Sequence, residues 1–331
     1  MNTSLRVGTT VHEPTTPLVD GRVTFDGIDA TVDSVPLASD LFKKMVEGEY
    51  DVSELGLTYF LRLLDTPEPP FVALPVFPAR NFRHSSVFVN TDAGIERPED
   101  LVGKTIGEFG LFGSDPGVWI KGILSDEFGF DPAANDWVIG GTDFPIPDFD
   151  WIPMPTPSGV NIRHAADGQK LAEMLESGEI DALFSVDVPA SFLDGSSEKI
   201  ARLFPDYERV ERDYFRRTGI FPQMHIVAVR RELAEDPELL RTIYDGFLKA
   251  KNLVQDDYRK GALKQHMEVI TPWFSGLFAA NRELLGDDWW PYGLEANRTA
   301  IDAFLRYHHE QGLSQQLLTS EDIFAPTLLD T

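Results

Sequence analysis

The chain has 331 residues, 42% of them hydrophobic and 11% aromatic, enough apolar material for two cores at a length where single cores divide. Lys and Arg total 29 against 54 Asp and Glu, a formal charge of -25, so phosphate backbones and anionic membrane surfaces are excluded as partners. The absence of cysteine removes disulfides, thiolate nucleophiles, thiolate zinc sites and iron–sulfur clusters.

The opening MNTSLRVGTT runs straight into a strand pattern and lacks the charged start, apolar stretch and cleavage site of a secretory signal. No stretch approaches the roughly 18 apolar residues that span a bilayer, so the expected location is the cytoplasm. Strands are predicted at Leu5–Gly8, Phe71–Val76, Ser86–Asn90, Thr105–Gly107, Ala182–Ser185 and His225–Val229. Helices are predicted at Ser39–Glu47, Gly168–Glu176, Pro237–Leu253 and Asn297–Gln311. The third of these opens with Asp236 as N-cap and proline in its first turn, then sets Leu240, Ile243, Tyr244 and Phe247 on one face. Alternating strands and helices imply parallel sheets covered on both faces.

One pattern occurs twice. Residues 45–52 read MVEGEYDV and residues 174–182 read MLESGEIDA. Each is a helix end, a glycine C-cap, then Glu-x-Asp leading into a strand. Two copies so far apart predict two similar α/β lobes rather than a solenoid. The segment IERPEDLVGKTIG adds a short helix, a Gly-Lys turn and a strand.

These features resemble the type II periplasmic-binding-protein-like fold: an α/β, two-lobed molecule with a ligand cleft between the lobes and extra C-terminal helices. Within it, DGRVTFDGID, EYDVSELGLTYFL, LPVFPARNFRHSSVFVN, RRTGIFPQMH and DDWWPYGLEANRTAIDAFLRYHHEQGL resemble the 4,5-dihydroxyphthalate decarboxylase family over nearly the whole chain. The resemblance implies one lobe from residues 1–87 and 218–331, the other from 88–217. Two loops depart from the family pattern. TTVHEPTTPL carries His12 and Glu13 where Tyr-Asp-Arg-like residues are expected, and FGLFGSDPGVW replaces a Tyr-Gln-Met-type stretch.

FPARNFRHS sets Arg80, Arg83, His84 and Ser85 where one lobe should cross into the other. An arginine fork binds a carboxylate in bidentate fashion, and a histidine moves protons near neutral pH. The bland alternative is an arginine paired with a surface acid and a histidine capping a strand. His225 opens the apolar strand of the expected second crossover, where structural and catalytic roles weigh evenly. SELGLTY supplies Glu54, as base or charge partner of an arginine, and Tyr59, at the C-terminal end of a strand where ligands of open sheets collect. Ser114 precedes a helix whose N-terminus could take a ligand carboxylate. Trp289, Trp290 and Tyr292 read as a packing turn, and His308 and His309 as surface residues.

The resemblance implies a carboxy-lyase that acts without cofactor on a hydroxylated aromatic acid in aromatic catabolism. His84 or His225 is then the proton donor, Glu54 or His12 the base, and Arg80 and Arg83 the clamp, with Ser85, Ser114 and Tyr59 binding substrate. No HExxH or similar spacing assigns a metal, although His12, His84 and His225 could converge in space. The alternative is a non-catalytic binding protein for a small aromatic or carboxylated solute. A thiamine-pyrimidine synthase role ranks last, since it wants cysteine. Homo-oligomerisation is expected from the family and the aromatic C-terminal region.

Overall fold

Two sheets carry the chain, and the strand order of one repeats in the other. The structure, a computed structural model, describes residues 4–146, 149–267 and 269–331. Among them the strands are β1 (Ser4–Thr9), β2 (Asp29–Ser34), β3 (Val52–Gly56), β4 (Phe71–Leu74), β5 (Val87–Asn90), β6 (Thr105–Phe109), β7 (Asp136–Gly140), β8 (Asn161–His164), β9 (Ala182–Phe184), β10 (Ile200–Arg202) and β11 (His225–Arg230). The first sheet runs β2-β1-β3-β11-β4, and the second, read from its far edge, runs β8-β7-β6-β9-β5-β10.

The second sheet is therefore the first with one strand added. β2-β1-β3 pair in parallel, as do β7-β6-β9. β11 then runs antiparallel to β3 and β4, as β5 does to β9 and β10. The expectation of purely parallel sheets needs this correction. β5 and β11 are the strands by which the chain passes from one sheet to the other and returns, so each arrives in the opposite sense. Both β3 and β9 are buried along their whole length because both faces are covered, although β3 carries Ser53 and Glu54 within it.

The repeated Glu-x-Asp motif has a structural reason. Asp51 precedes β3 and accepts the backbone N–H of Arg6 at 2.7 Å, while its own N–H donates to the Arg6 carbonyl. Asp181 precedes β9 and does the same with Thr105, at 2.8 Å. Each aspartate ties the start of its strand to the neighbouring parallel one. Gly178 adopts a left-handed φ of +79° at the C-cap of the second copy's helix, as the motif requires.

The helix at Pro237–Leu263 starts where expected, with the Asp236 carboxylate accepting from the N–H groups of Glu238 and Leu239. It continues ten residues past its expected end, where Gln255 and Tyr258 extend the cleft-facing side that Lys251 begins. Its apolar side, Leu240, Ile243, Phe247 and Ala250, is buried in the main core. His308 is also not where the sequence put it. It is 1% exposed, with Nε2 against the Thr58 hydroxyl at 3.1 Å. No helix among the described residues is long and apolar enough to cross a membrane.

Candidate functional site

The edges of both sheets and the long helix enclose a pocket of about 370 Å3, a volume in the range of small-molecule sites. The turn after β1 brings His12 and Glu13 to it, and the crossover after β4 brings Arg80 and Arg83. The return crossover brings Met224 and His225, and the long helix Lys251, Gln255 and Tyr258. Pro116 and Val186 close it from the side of the second sheet. Trp289 and Trp290 line it as well, while Tyr292 alone of that segment takes the expected core position.

Strand register builds the centre of the site. Val227 of β11 faces Glu54 of β3, and His225 faces Gly56. Residues two apart on a strand share a face, so His225 and Glu54 are diagonal neighbours on one face. Nδ1 of His225 lies 2.5 Å from Oε1 of Glu54, and Nε2 of His12 lies 2.9 Å from the same oxygen. The other oxygen, Oε2, accepts from the Thr10 N–H and hydroxyl, both at 2.8 Å, and from the Thr9 hydroxyl at 3.2 Å. Glu54 is 1% exposed, whereas the His12 and His225 side chains are 30% and 16% exposed and face the pocket.

Burial alone would push the Glu54 pKa up, but the hydrogen bonds and charge of His12 and His225 hold it far below the usual carboxylate range. Burial likewise opposes the charged form of His12, yet the hydrogen bond and charge of Glu54 raise it above its ordinary value. The triad is a buried carboxylate carrying two imidazoles that a ligand can reach.

Behind it sits Asp115, the first residue of the helix Asp115–Phe128, and no sequence motif singled it out. Its Oδ1 accepts the Thr58 N–H at 2.6 Å. A Cβ on Gly56 would stand 2.5 Å from Asp115 Oδ2, which is why glycine faces His225 across the strands. Burial pushes the Asp115 pKa up to about 6, against the pull of His225, the Thr58 N–H and Arg83.

The two arginines differ. Arg80 is held over Phe77 and Phe221, and its guanidinium donates to the Pro291 carbonyl and Asn297 Oδ1 at 2.5 and 2.6 Å. Arg83 is equally buried, but its Nε has no partner and its Nη1 has only a 3.5 Å contact with the Ser86 hydroxyl. Burial depresses both pKa values, to about 9 for Arg80 and about 10 for Arg83, which leaves each protonated near neutral pH.

Five of the sequence candidates lie outside the pocket lining: Glu54, buried behind its two imidazoles, and four that take no part in the triad. The His84 ring is wedged between Phe204 and Tyr214, both ring nitrogens lack partners, and burial pulls its pKa down to about 4. Ser85 gives its N–H to Glu211 Oε1 at 2.8 Å. Ser114 caps its helix by accepting the Gly117 N–H. Tyr59 is buried, stacked on Trp151 with centroids 5.6 Å apart. Conversely, Lys251 was missed, its 4- and 3-residue spacing to Gln255 and Tyr258 being the one available signal. Its Nζ donates to both Asp288 carboxylate oxygens at 2.9 Å and to Gln255 Oε1 at 3.2 Å.

No protein-family model matches the chain. Among solved structures, the periplasmic aliphatic sulphonate binding protein SsuA from Escherichia coli superposes with a TM-score of 0.53 at 13% identity, covering 98% of this chain and 92% of that one. The alkanesulfonate-binding protein SsuA from Xanthomonas axonopodis gives 0.52 at 14% identity, covering 98% and 97%. At these identities the likeness concerns the fold, which is the expected two-lobed periplasmic-binding-protein-like one. Sequence relatives go further. A 4,5-dihydroxyphthalate decarboxylase of Pseudomonas putida is 33% identical over 218 residues, 65% of this chain and 82% of that protein. Another, of Comamonas testosteroni, is 32% identical over 318 residues, 95% of this chain and 94% of that protein. Agreement sustained along nearly the full length of both chains places this protein in the 4,5-dihydroxyphthalate decarboxylase family.

Proposed function

We propose that this protein removes carbon dioxide from a hydroxylated aromatic carboxylic acid of the 4,5-dihydroxyphthalate type, as a step in aromatic catabolism. The observation that carries the reading is the triad on the pocket wall: Glu54 Oε1 joined to His12 and His225, both open to the ligand. The relatives' shared activity supports it, and Arg83 offers a desolvated cation with unused donors.

In this reading Arg83 clamps one ligand carboxylate, and Arg80 and Lys251 add to the positive field of the wall. A ring hydroxyl para to the departing carboxylate gives its proton to His12. His225 delivers a proton to the ring carbon that bears the carboxylate. The carbon–carbon bond then breaks, its electron pair restores the aromatic ring and the phenolate, carbon dioxide leaves, and the phenolate takes its proton back from His12. Glu54 holds both imidazoles in place and stabilises whichever is charged. The ring supplies its own electron sink, so no organic cofactor is needed. The lobes, divided near residues 87 and 217, close on the ligand and exclude water.

The test is release of carbon dioxide from a panel of hydroxylated phthalates and benzoates. Tight thermal-shift stabilisation by an aromatic acid without any release would favour a solute-binding role, as in the sulphonate-binding proteins that share the fold.

A further inference from the structure

We infer that the His12–Glu54–His225 triad binds one divalent first-row transition-metal ion of the zinc type, and that the bound ion shuts off the proton chemistry. The donor atoms all lie within 4.8 Å of one another. Two imidazoles and a carboxylate form a donor set that suits Zn2+, Co2+ or Fe2+ and not Mg2+ or Ca2+, which prefer all-oxygen shells.

The surroundings are those of a built site. Glu54 Oε2 is fixed by the Thr10 N–H and by the hydroxyls of Thr9 and Thr10, which leaves Oε1 as a single aimed donor. Outer-shell hydrogen bonds of this kind orient metal ligands. The nitrogens of His12 and His225 that would ligate the ion already point at Oε1, from 2.9 and 2.5 Å. The ion reaches them through the pocket, which both histidines line.

An ion there takes the Glu54-facing nitrogens, His12 Nε2 and His225 Nδ1, and so fixes each neutral ring with its N–H on the pocket-facing nitrogen. His12 can no longer accept the phenolic proton, and His225 can no longer deliver one. Metal and protons therefore compete for the same atoms, and binding weakens as pH falls. The inhibition rests on the proposed decarboxylation, whereas the binding does not.

The experiment uses the full chain stripped of metal by a chelator. Zn2+ binding is followed by calorimetry and Co2+ binding by its visible absorption, with Mg2+ as control. One equivalent of Zn2+ or Co2+ should bind, and Mg2+ should not. His12→Ala should weaken binding at least about tenfold, since even outer-shell losses cost 10–100-fold. Glu54→Gln, with its fold checked by circular dichroism, should weaken it further. Turnover of 4,5-dihydroxyphthalate, at buffered free Zn2+ because the catechol itself chelates, should fall as the site fills and return with EDTA. Absence of stoichiometric binding, or binding unchanged in both variants, overturns the site. Turnover that requires the ion overturns the inhibition. Failure of every substrate in metal-free protein counts against the decarboxylase reading, while the binding data still decide the site.

Discussion

Nδ1 of His225 and Oε1 of Glu54 stand 2.5 Å apart on neighbouring antiparallel strands, and the same oxygen, on a carboxylate only 1% exposed, also meets the imidazole of His12. A carboxylate so placed keeps both rings in a fixed tautomer and shares their charge. Glu54→Gln keeps the shape but removes the charge and confronts one imidazole N–H with an amide. Turnover should drop by about 100- to 10,000-fold, the worth of acid–base assistance, with a much smaller change in ligand affinity. Steady-state kinetics beside ligand titration separates the two.

Arg83 should act in binding. Replacing it with Gln removes a buried, charged donor, and charged hydrogen bonds are worth roughly 1.5–3 kcal/mol, so KM should rise about 10- to 100-fold. kcat should fall less. Arg80→Gln should instead lower thermal stability, because its guanidinium ties the crossover to Pro291 and Asn297.

Gly56→Ala tests the packing behind the triad. The new methyl would stand 2.5 Å from Asp115 Oδ2 and 2.6 Å from Tyr59 Cδ2. Overpacking of this kind costs about 1–3 kcal/mol. Denaturant unfolding should show that loss. Turnover should fall too, since Asp115 is pushed away from His225.

His84 makes a pH prediction. Burial depresses its folded pKa to about 4 from an ordinary 6.5, with Glu127 raising it and Arg217 lowering it further. The unfolded chain binds this proton more readily, so the neutral ring costs nothing above pH 6.5 and stability is lost as pH falls from 6.5 towards 4. The loss amounts to about 3 kcal/mol by pH 4. Unfolding free energies across that window should show it in the parent and not in His84→Leu. His84→Asn should lose far less turnover than His225→Asn.

The sequence showed the framework better than the site. Apolar runs and helix caps located six of the eleven strands among the described residues to within two residues, and the Glu-x-Asp motif announced a repeat whose aspartates do the same job. FPARNFRHS promised four ligand-facing groups, yet neighbouring residues in a tight turn point apart. Arg83 lines the pocket while His84, one residue on, is driven between Phe204 and Tyr214. Glu54, His12 and His225 were each legible as candidates. Their union was not, because it depends on the pairing of β3 with β11 and on two threonines that carry no motif. Gln255 and Tyr258 were hidden by the polar stretch that made the long helix seem to end early.

The matched registers of the two sheets bear on how a ligand must lie. Counting along equivalent strands, the position of Glu54 falls in the second sheet on Phe184, and that of His225 on Ser85. Phe184 is buried against Phe130 and Trp137, and that half of the molecule meets the pocket with Pro116 and Val186. One jaw is therefore wet and ionic and the other greasy, although both grew from a common plan. On the proposed function, an aromatic ring with oxygens along one edge would enter with that edge toward the ionic jaw, so that its orientation is set before any chemistry begins.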